Sequence, residues 1–186
     1  MDALMLLLIC IIIIICLISG IYMYLFNRLQ DYIVKINEVE SIIDTNLRNK
    51  YDNLNKCISI IKGDDDINKK SEEKIFEEII KLRNKKISNF DLDRKLIDAN
   101  NEFIVLKQKY PKLNDIEEIK NITKKIEDCD EKLEINRDYY NRNIAEYNKL
   151  IKVFPTNIIA KICKYKEKLF FDRKDMSDED YNDFKL

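Results

Sequence analysis

Residues 3–26 read ALMLLLICIIIIICLISGIYMYLF, and beyond them Leu29, Ile33, Ile36, Val39, Ile43, Leu47, Tyr51, Leu54, Ile58 and Ile61 recur at steps of three and four. The first stretch is apolar on every side. The second is apolar along one line only. A helix that is greasy all round belongs in lipid, whereas one with a single apolar stripe belongs against other helices. The 24 uncharged residues would span ~36 Å at ~1.5 Å per residue, enough to cross a hydrocarbon core of ~30 Å. Tyr22, Tyr24 and Phe26 fall where an interfacial aromatic belt is expected. A cleaved signal peptide fits poorly: the segment before the run is Met1-Asp2, the run is long, and no Ala-x-Ala pattern comes after it. Cys10 and Cys16 each follow Ile, where a lipid-modified cysteine would follow a small residue.

All 33 basic residues, and every acid except Asp2, lie beyond Asn27. The soluble part is therefore densely charged yet close to neutral, which gives no reason to expect nucleic acid as a partner. Mixed signs on helices make a solvated face. Arg28 and Lys35 come after the apolar run with Asp31 between them, a bias that puts the N-terminus outside and the bulk of the chain in the cytoplasm of a single-pass cell-membrane protein. The five cysteines are odd in number, widely spaced and without a Cys-x-x-Cys pair. They read as small hydrophobes in a reducing compartment.

With two Gly and two Pro in 186 residues, the chain has few places to turn. Gly63 is the natural stop of a first helix that continues from the membrane for about 35 residues. A second helix is expected over 68–87, with Ile75, Ile79, Leu82 and Ile87 on one face. Ser88-Asn89-Phe90-Asp91 reads as a turn with an N-cap. A third helix carries Leu92, Leu96, Ala99, Phe103 and Leu106 and stops at Tyr110-Pro111, because a residue before proline avoids the helical region. The fourth is expected from Asn114 as N-cap to Phe154. Its stripe is Ile116, Ile119, Ile122, Ile126, Cys129, Leu133, Tyr140, Ile144, Tyr147, Ile151 and Phe154. The fold expected is all-α: an N-terminal transmembrane helix (1–27) continuing into an antiparallel up-down-up-down four-helix bundle with two long and two shorter helices (28–171), then an acidic disordered tail (172–186).

The fourth helix would then return toward the membrane and deliver the residues beyond Pro155. Lys161, Lys164, Lys166 and Lys168 alternate there with apolar residues, ending in Phe170 and Phe171. This basic, apolar segment is a candidate membrane-surface contact, or else a short helix folded against the base of the bundle. A second candidate is the set Arg137, Tyr140, Asn141, Tyr147, Asn148 and Phe154. Tyr140, Tyr147 and Phe154 are spaced by sevens on one face, with the two asparagines beside them. Such a polar-aromatic seam either grips a partner helix or fixes the register of the protein's own helices.

The pattern Arg137-x-x-Tyr140-Asn141, Tyr147-Asn148-x-x-Ile151-x-x-Phe154-Pro155 resembles the C-terminal signature of the LemA family. Ile159-Ala160 and Phe170-Phe171 continue it. Leu47 to Asp52, Ile61-Lys62-Gly63, Ala99-Asn100-x-x-Phe103 and Tyr110-Pro111-x-Leu113 agree in order upstream. The family commonly has proline where this chain has Asn55, so the first helix is expected to run straighter, and an aromatic where it has Asp64. The resemblance implies a single-pass membrane protein with a four-helix cytoplasmic bundle and no established enzymatic activity.

The residue types weigh the same way. With no histidine, a di-iron bundle built on Glu-x-x-His and any His-based nucleophile system are excluded. One soluble glycine cannot build a phosphate loop. Asp64-Asp65-Asp66 lacks the alternating spacing of a calcium loop and reads as a solvated turn. No catalytic residue, cofactor, metal or small-molecule substrate is expected. The expected partners are the lipid bilayer and either a cytoplasmic or membrane protein or a second copy of the chain. The alternatives are an oligomeric scaffold, or a carboxylate- and metal-dependent component that would need several of Glu117, Glu127, Glu131 and Glu134 to point inward.

Overall fold

The computed structural model describes residues 3–63 and 88–171. The helix expected over 68–87, the Asp64-Asp65-Asp66 turn and the tail from Asp172 lie outside the described residues. Every regular element described is helical. Helix α1 runs Ala3–Lys62 without a break, and Asn55 lies within it. Helix α2 is Asn89–Lys109, a 3-10 turn covers Pro111–Asn114, α3 is Glu117–Lys152 and α4 is Thr156–Ile162.

The ends of these elements have local causes. The Gly63 N–H closes on the Ile60 carbonyl at 3.0 Å, one tight turn after the last α-helical residue. Ser88 caps α2: its Oγ accepts from the Asp91 N–H at 3.2 Å, satisfying one of the four donors left bare at a helix start. Tyr110 ends α2 ahead of Pro111. Asn114 departs from its expected role. It sits in the 3-10 turn, and its Nδ2 donates to the Lys107 carbonyl at 3.2 Å. It thus serves the bare carbonyls at the end of α2 and does not cap α3, which begins at Glu117. At the other end, α3 stops at Lys152, two residues short of expectation. The chain turns through Val153 and Phe154.

The chain forms two compact units, one made of α1 as far as Val39 together with Tyr140–Phe170, the other of Glu40 to Tyr139 together with Phe171. In the first, Leu29, Ile36 and Val39 of α1 are buried, as are Tyr140, Ile144, Tyr147 and Leu150 of α3. Here α4 buries Thr156, Ile159 and Ala160 and turns Ile158 and Ile162 outward. Residues 3–24 of α1 are exposed throughout. In the second unit α1 buries two adjacent rows. One is the expected line Ile43, Leu47, Tyr51, Leu54, Ile58 and Ile61. The other is Asn46, Lys50, Asn53 and Cys57. Opposite ends of α2 and α3 meet, Asp93 with Arg137 and Lys107 with Thr123, so these two helices run antiparallel there. Burial pushes the Cys57 thiol up to about 11, and Cys129 moves the same way for the same reason. Both behave as small core hydrophobes, and no disulfide forms among the described cysteines.

Truncating Leu133, which is fully buried, is expected to cost about 2–5 kcal/mol of stability, whereas Ile135→Ala, at an outward position on the same helix, should change it by less than about 0.5 kcal/mol. Chemical denaturation of the detergent-solubilised chain measures both.

Candidate functional site

Two polar constellations stand out, one in each unit. In the second unit four charges from three helices come together. Lys50 of α1 donates to Asp130 of α3, and Arg137 of α3 donates from Nη2 to Asp93 of α2 at 2.6 Å. Lys50 is 1% exposed and Asp93 2%. Lys50 and Asp130 are also close enough to act electrostatically on Asp93. Burial raises the Asp93 carboxyl above its ordinary 3.8, because desolvation outweighs the opposing pull of Arg137 and Lys50. Signs alternate, so the cluster is neutral as a whole.

Arg137 completes this arrangement. Its guanidinium lies 5.8 Å from the centre of the Phe171 ring, and Phe171 packs on Phe90 with centroids 4.5 Å apart. Cations favour the face of an aromatic ring, most of all where water is excluded. The arginine Nε has no hydrogen-bond partner among the described residues. Phe171 is 4% exposed and is thereby an internal cover over the arginine. It does not share the outward position of Lys161, Lys164 and Lys166, which precede it in sequence.

In the first unit α3 holds the segment that comes after α4. The Asn148 side chain brackets the backbone of Lys168: Nδ2 donates to its carbonyl at 2.8 Å, and Oδ1 accepts from its N–H at 2.9 Å. Next to it, the Tyr147 hydroxyl donates to the Lys166 carbonyl at 3.1 Å. An extended segment has no helix to satisfy its own backbone, and these side chains supply part of that need. After α4 the chain reverses at Lys164, in the left-handed region at φ 56°. The Tyr165 N–H closes on the Ala160 carbonyl at 2.9 Å. Tyr165 then meets the side chain of Gln30 on α1.

The expected seam is therefore divided. Tyr147 and Asn148 bind the chain's own backbone, Tyr140 is buried, and Asn141 is half-buried. Arg137 belongs to the charge cluster. Phe154 is 73% exposed, because α3 ends before the third place in the heptad line is reached. Lys161, Lys164 and Lys166 are exposed and Lys168 is half-buried; Phe170 is exposed. Glu117, Glu127, Glu131 and Glu134 all face outward; among the described residues the buried carboxylate is Asp93, with Asp130 half-buried near it. Sequence reasoning missed Lys50, Asp93 and Asp130. The signal was present: the α3 stripe skips a place between Leu133 and Tyr140, where Arg137 stands, and Asp93 stands three residues before Leu96.

Fold and site together define an all-helical protein whose first helix is long and apolar enough at its start to cross a membrane, and whose polar side chains tie helices to one another and hold the extended strap after α4, residues 165–171. The chain belongs to the LemA family: the family model matches residues 39–182, a range that begins after the apolar stretch. A search of curated proteins finds no match to the chain.

Breaking one side of the buried pair, by Asp93→Leu or Arg137→Met, is expected to cost about 3–5 kcal/mol, while the two substitutions together should cost far less than the two single losses added. Equilibrium unfolding of the four species measures this coupling; additive losses would contradict it. The pH dependence carries a second expectation. A carboxyl raised in the folded state binds its proton more tightly there than in the unfolded chain. The stability it contributes is thus greatest below its ordinary value of 3.8 and falls as pH rises through the folded-state value. Asp93→Asn should remove that downward slope from the unfolding free energy.

Proposed function

We propose that the chain is a membrane-anchored helical interaction module. Residues 3–26 span the bilayer, the N-terminus lies outside, and the remainder forms a cytoplasmic antiparallel four-helix bundle that binds a protein partner without catalysis. The observation that carries the module reading is the pairing of inward charges. Lys50 answers Asp130 and Arg137 answers Asp93, so the charged groups inside the helices serve packing. Candidate carboxylates for metal chemistry face solvent. The surface left for recognition is the outside of a long helical body, the kind of surface that takes a partner helix or peptide.

The anchor has its own support. Every residue from 3 to 24 is exposed, and the most hydropathic window of α1 has none of its residues buried. An apolar face of that extent is unfavourable in water at roughly 25 cal/mol per Å². A helix satisfies its own backbone in lipid, so the bilayer is the environment that removes this cost. Arg28 and Lys35 support the orientation.

Trypsin provides the test, because the first basic residue is Arg28. Added to sealed vesicles with the cytoplasmic face outward, trypsin is expected to digest the helical body and leave a protected fragment ending at Arg28. Vesicles of the opposite sidedness should keep the chain intact. Digestion in the second preparation alone would reverse the topology, and digestion without a protected fragment would remove the anchor. For the partner, photocrosslinking in membranes should trap a specific protein with the full chain and less of it when residues 1–27 are deleted. A full chain that crosslinks only to lipid would contradict the module reading.

A further inference from the structure

We propose that the outward face of α4 and the strap after it form a second, peripheral membrane contact, seated in an anionic lipid headgroup layer beside the anchor. This rests on the transmembrane reading of residues 3–26. Three observations within the first unit carry it. The first is position. Tyr165 hydrogen-bonds Gln30, four residues beyond Phe26, or ~6 Å farther along a helix rising ~1.5 Å per residue. A bilayer of ~40–45 Å overall with a ~30 Å core has a headgroup layer of about that depth on each side. The strap is thus held at the level of the headgroups.

The second is the division of α4 into two faces. Thr156, Ile159 and Ala160 turn inward, while Ile158 and Ile162, one turn apart, are 50% and 66% exposed, with Lys161 beside them. Phe170 adds an exposed ring at the end of the strap. Large apolar side chains interleaved with lysines are the face of an interfacial segment: the apolar groups enter the acyl boundary and the ammonium groups meet lipid phosphates. The third is charge. Glu167 is matched by Lys152 at 3.0 Å, whereas Lys161, Lys164 and Lys166 are exposed and make no ion pair among the described residues. Asn148 and Tyr147 fix the strap through its backbone, so this surface is presented in one conformation and does not have to be ordered on binding.

The chain contains no tryptophan, so one introduced Trp is a unique fluorophore. The full chain is reconstituted in vesicles of brominated phosphatidylcholine, alone or with about one-third phosphatidylglycerol, the anionic component that attracts basic segments. Trp is placed singly by Ile162→Trp, Phe170→Trp, Ile13→Trp within the apolar stretch, or Val105→Trp at an exposed site of the second unit. The expected result is quenching at positions 162 and 170 several-fold above that at 105. It should strengthen with phosphatidylglycerol and fall to the level of 105 in a Lys161→Glu, Lys164→Glu, Lys166→Glu background. Quenching at 13 with none at 162 and 170 beyond that at 105 overturns the peripheral contact and leaves the anchor standing, as would be found if this surface were occupied by a protein. Quenching at 162 and 170 indifferent to lipid charge overturns the anionic recognition. No quenching at 13 overturns the anchor itself.

Discussion

A backbone that satisfies its own hydrogen bonds and side chains that find no cover are the two facts on which the molecule turns. Residues 3–24 of α1 meet the first condition by being helical and present the second in full, since apolar groups project on every side. Beyond Phe26 the same helix continues with its apolar residues reduced to a line, and burial begins at Leu29. The change in periodicity, from all-round to one-sided, happens within a single turn and without a helix break. No hinge residue stands between the two regimes, and Gly63, Pro111 and Pro155 fall at helix ends.

Charge inside the second unit has a different logic. Lys50 and Asp93 are almost wholly removed from water, which for an isolated ion would cost several kcal/mol even after relaxation. Their partners Asp130 and Arg137 offset that cost, and each pair joins two different helices. Hydrophobic stripes alone permit helices to slide by a turn, because Leu meets Ile equally well in several registers. A buried acid that has one arginine to meet does not permit it. The ring of Phe171 over Arg137 extends the same constraint to the end of the described chain. In the first unit the equivalent task falls to neutral groups, with Asn148 and Tyr147 fastening the strap through its backbone.

Much of this is legible in the residues. The line from Leu29 to Ile61 is buried along α1 except at the half-buried Ile33, and Ser88, Tyr110-Pro111 and Gly63 mark element ends as their chemistry requires. Three kinds of detail are not. Asn114 fits an N-cap by spacing, but spacing does not say which helix end a side chain will serve, and the 3-10 turn delivers it to the helix behind. Phe154 continues a heptad line on paper, yet heptad counting holds only while the helix lasts, and α3 ends at Lys152. Lys50, Asp93 and Asp130 look from the sequence like part of a solvated charged face. Their burial depends on partners from other helices, and such pairings, 80 and 44 residues apart in sequence, leave no local signature beyond a charge standing where a stripe expects a hydrophobe. Phe170 and Phe171 show the same limit. They are adjacent and alike, yet one is outward and the other sealed over Arg137.

Amide hydrogen exchange of the full chain in a lipid bilayer addresses the central claim most directly, since exchange reports both solvent access and helical continuity residue by residue. Residues 7–26 are expected to stay protected far longer than any other stretch, with protection continuing unbroken through 27–31 into the body of α1. Rapid exchange across 7–26, or a fast-exchanging gap at 27–31 separating an anchor from an independent rod, would contradict a single helix that passes from lipid into the folded body.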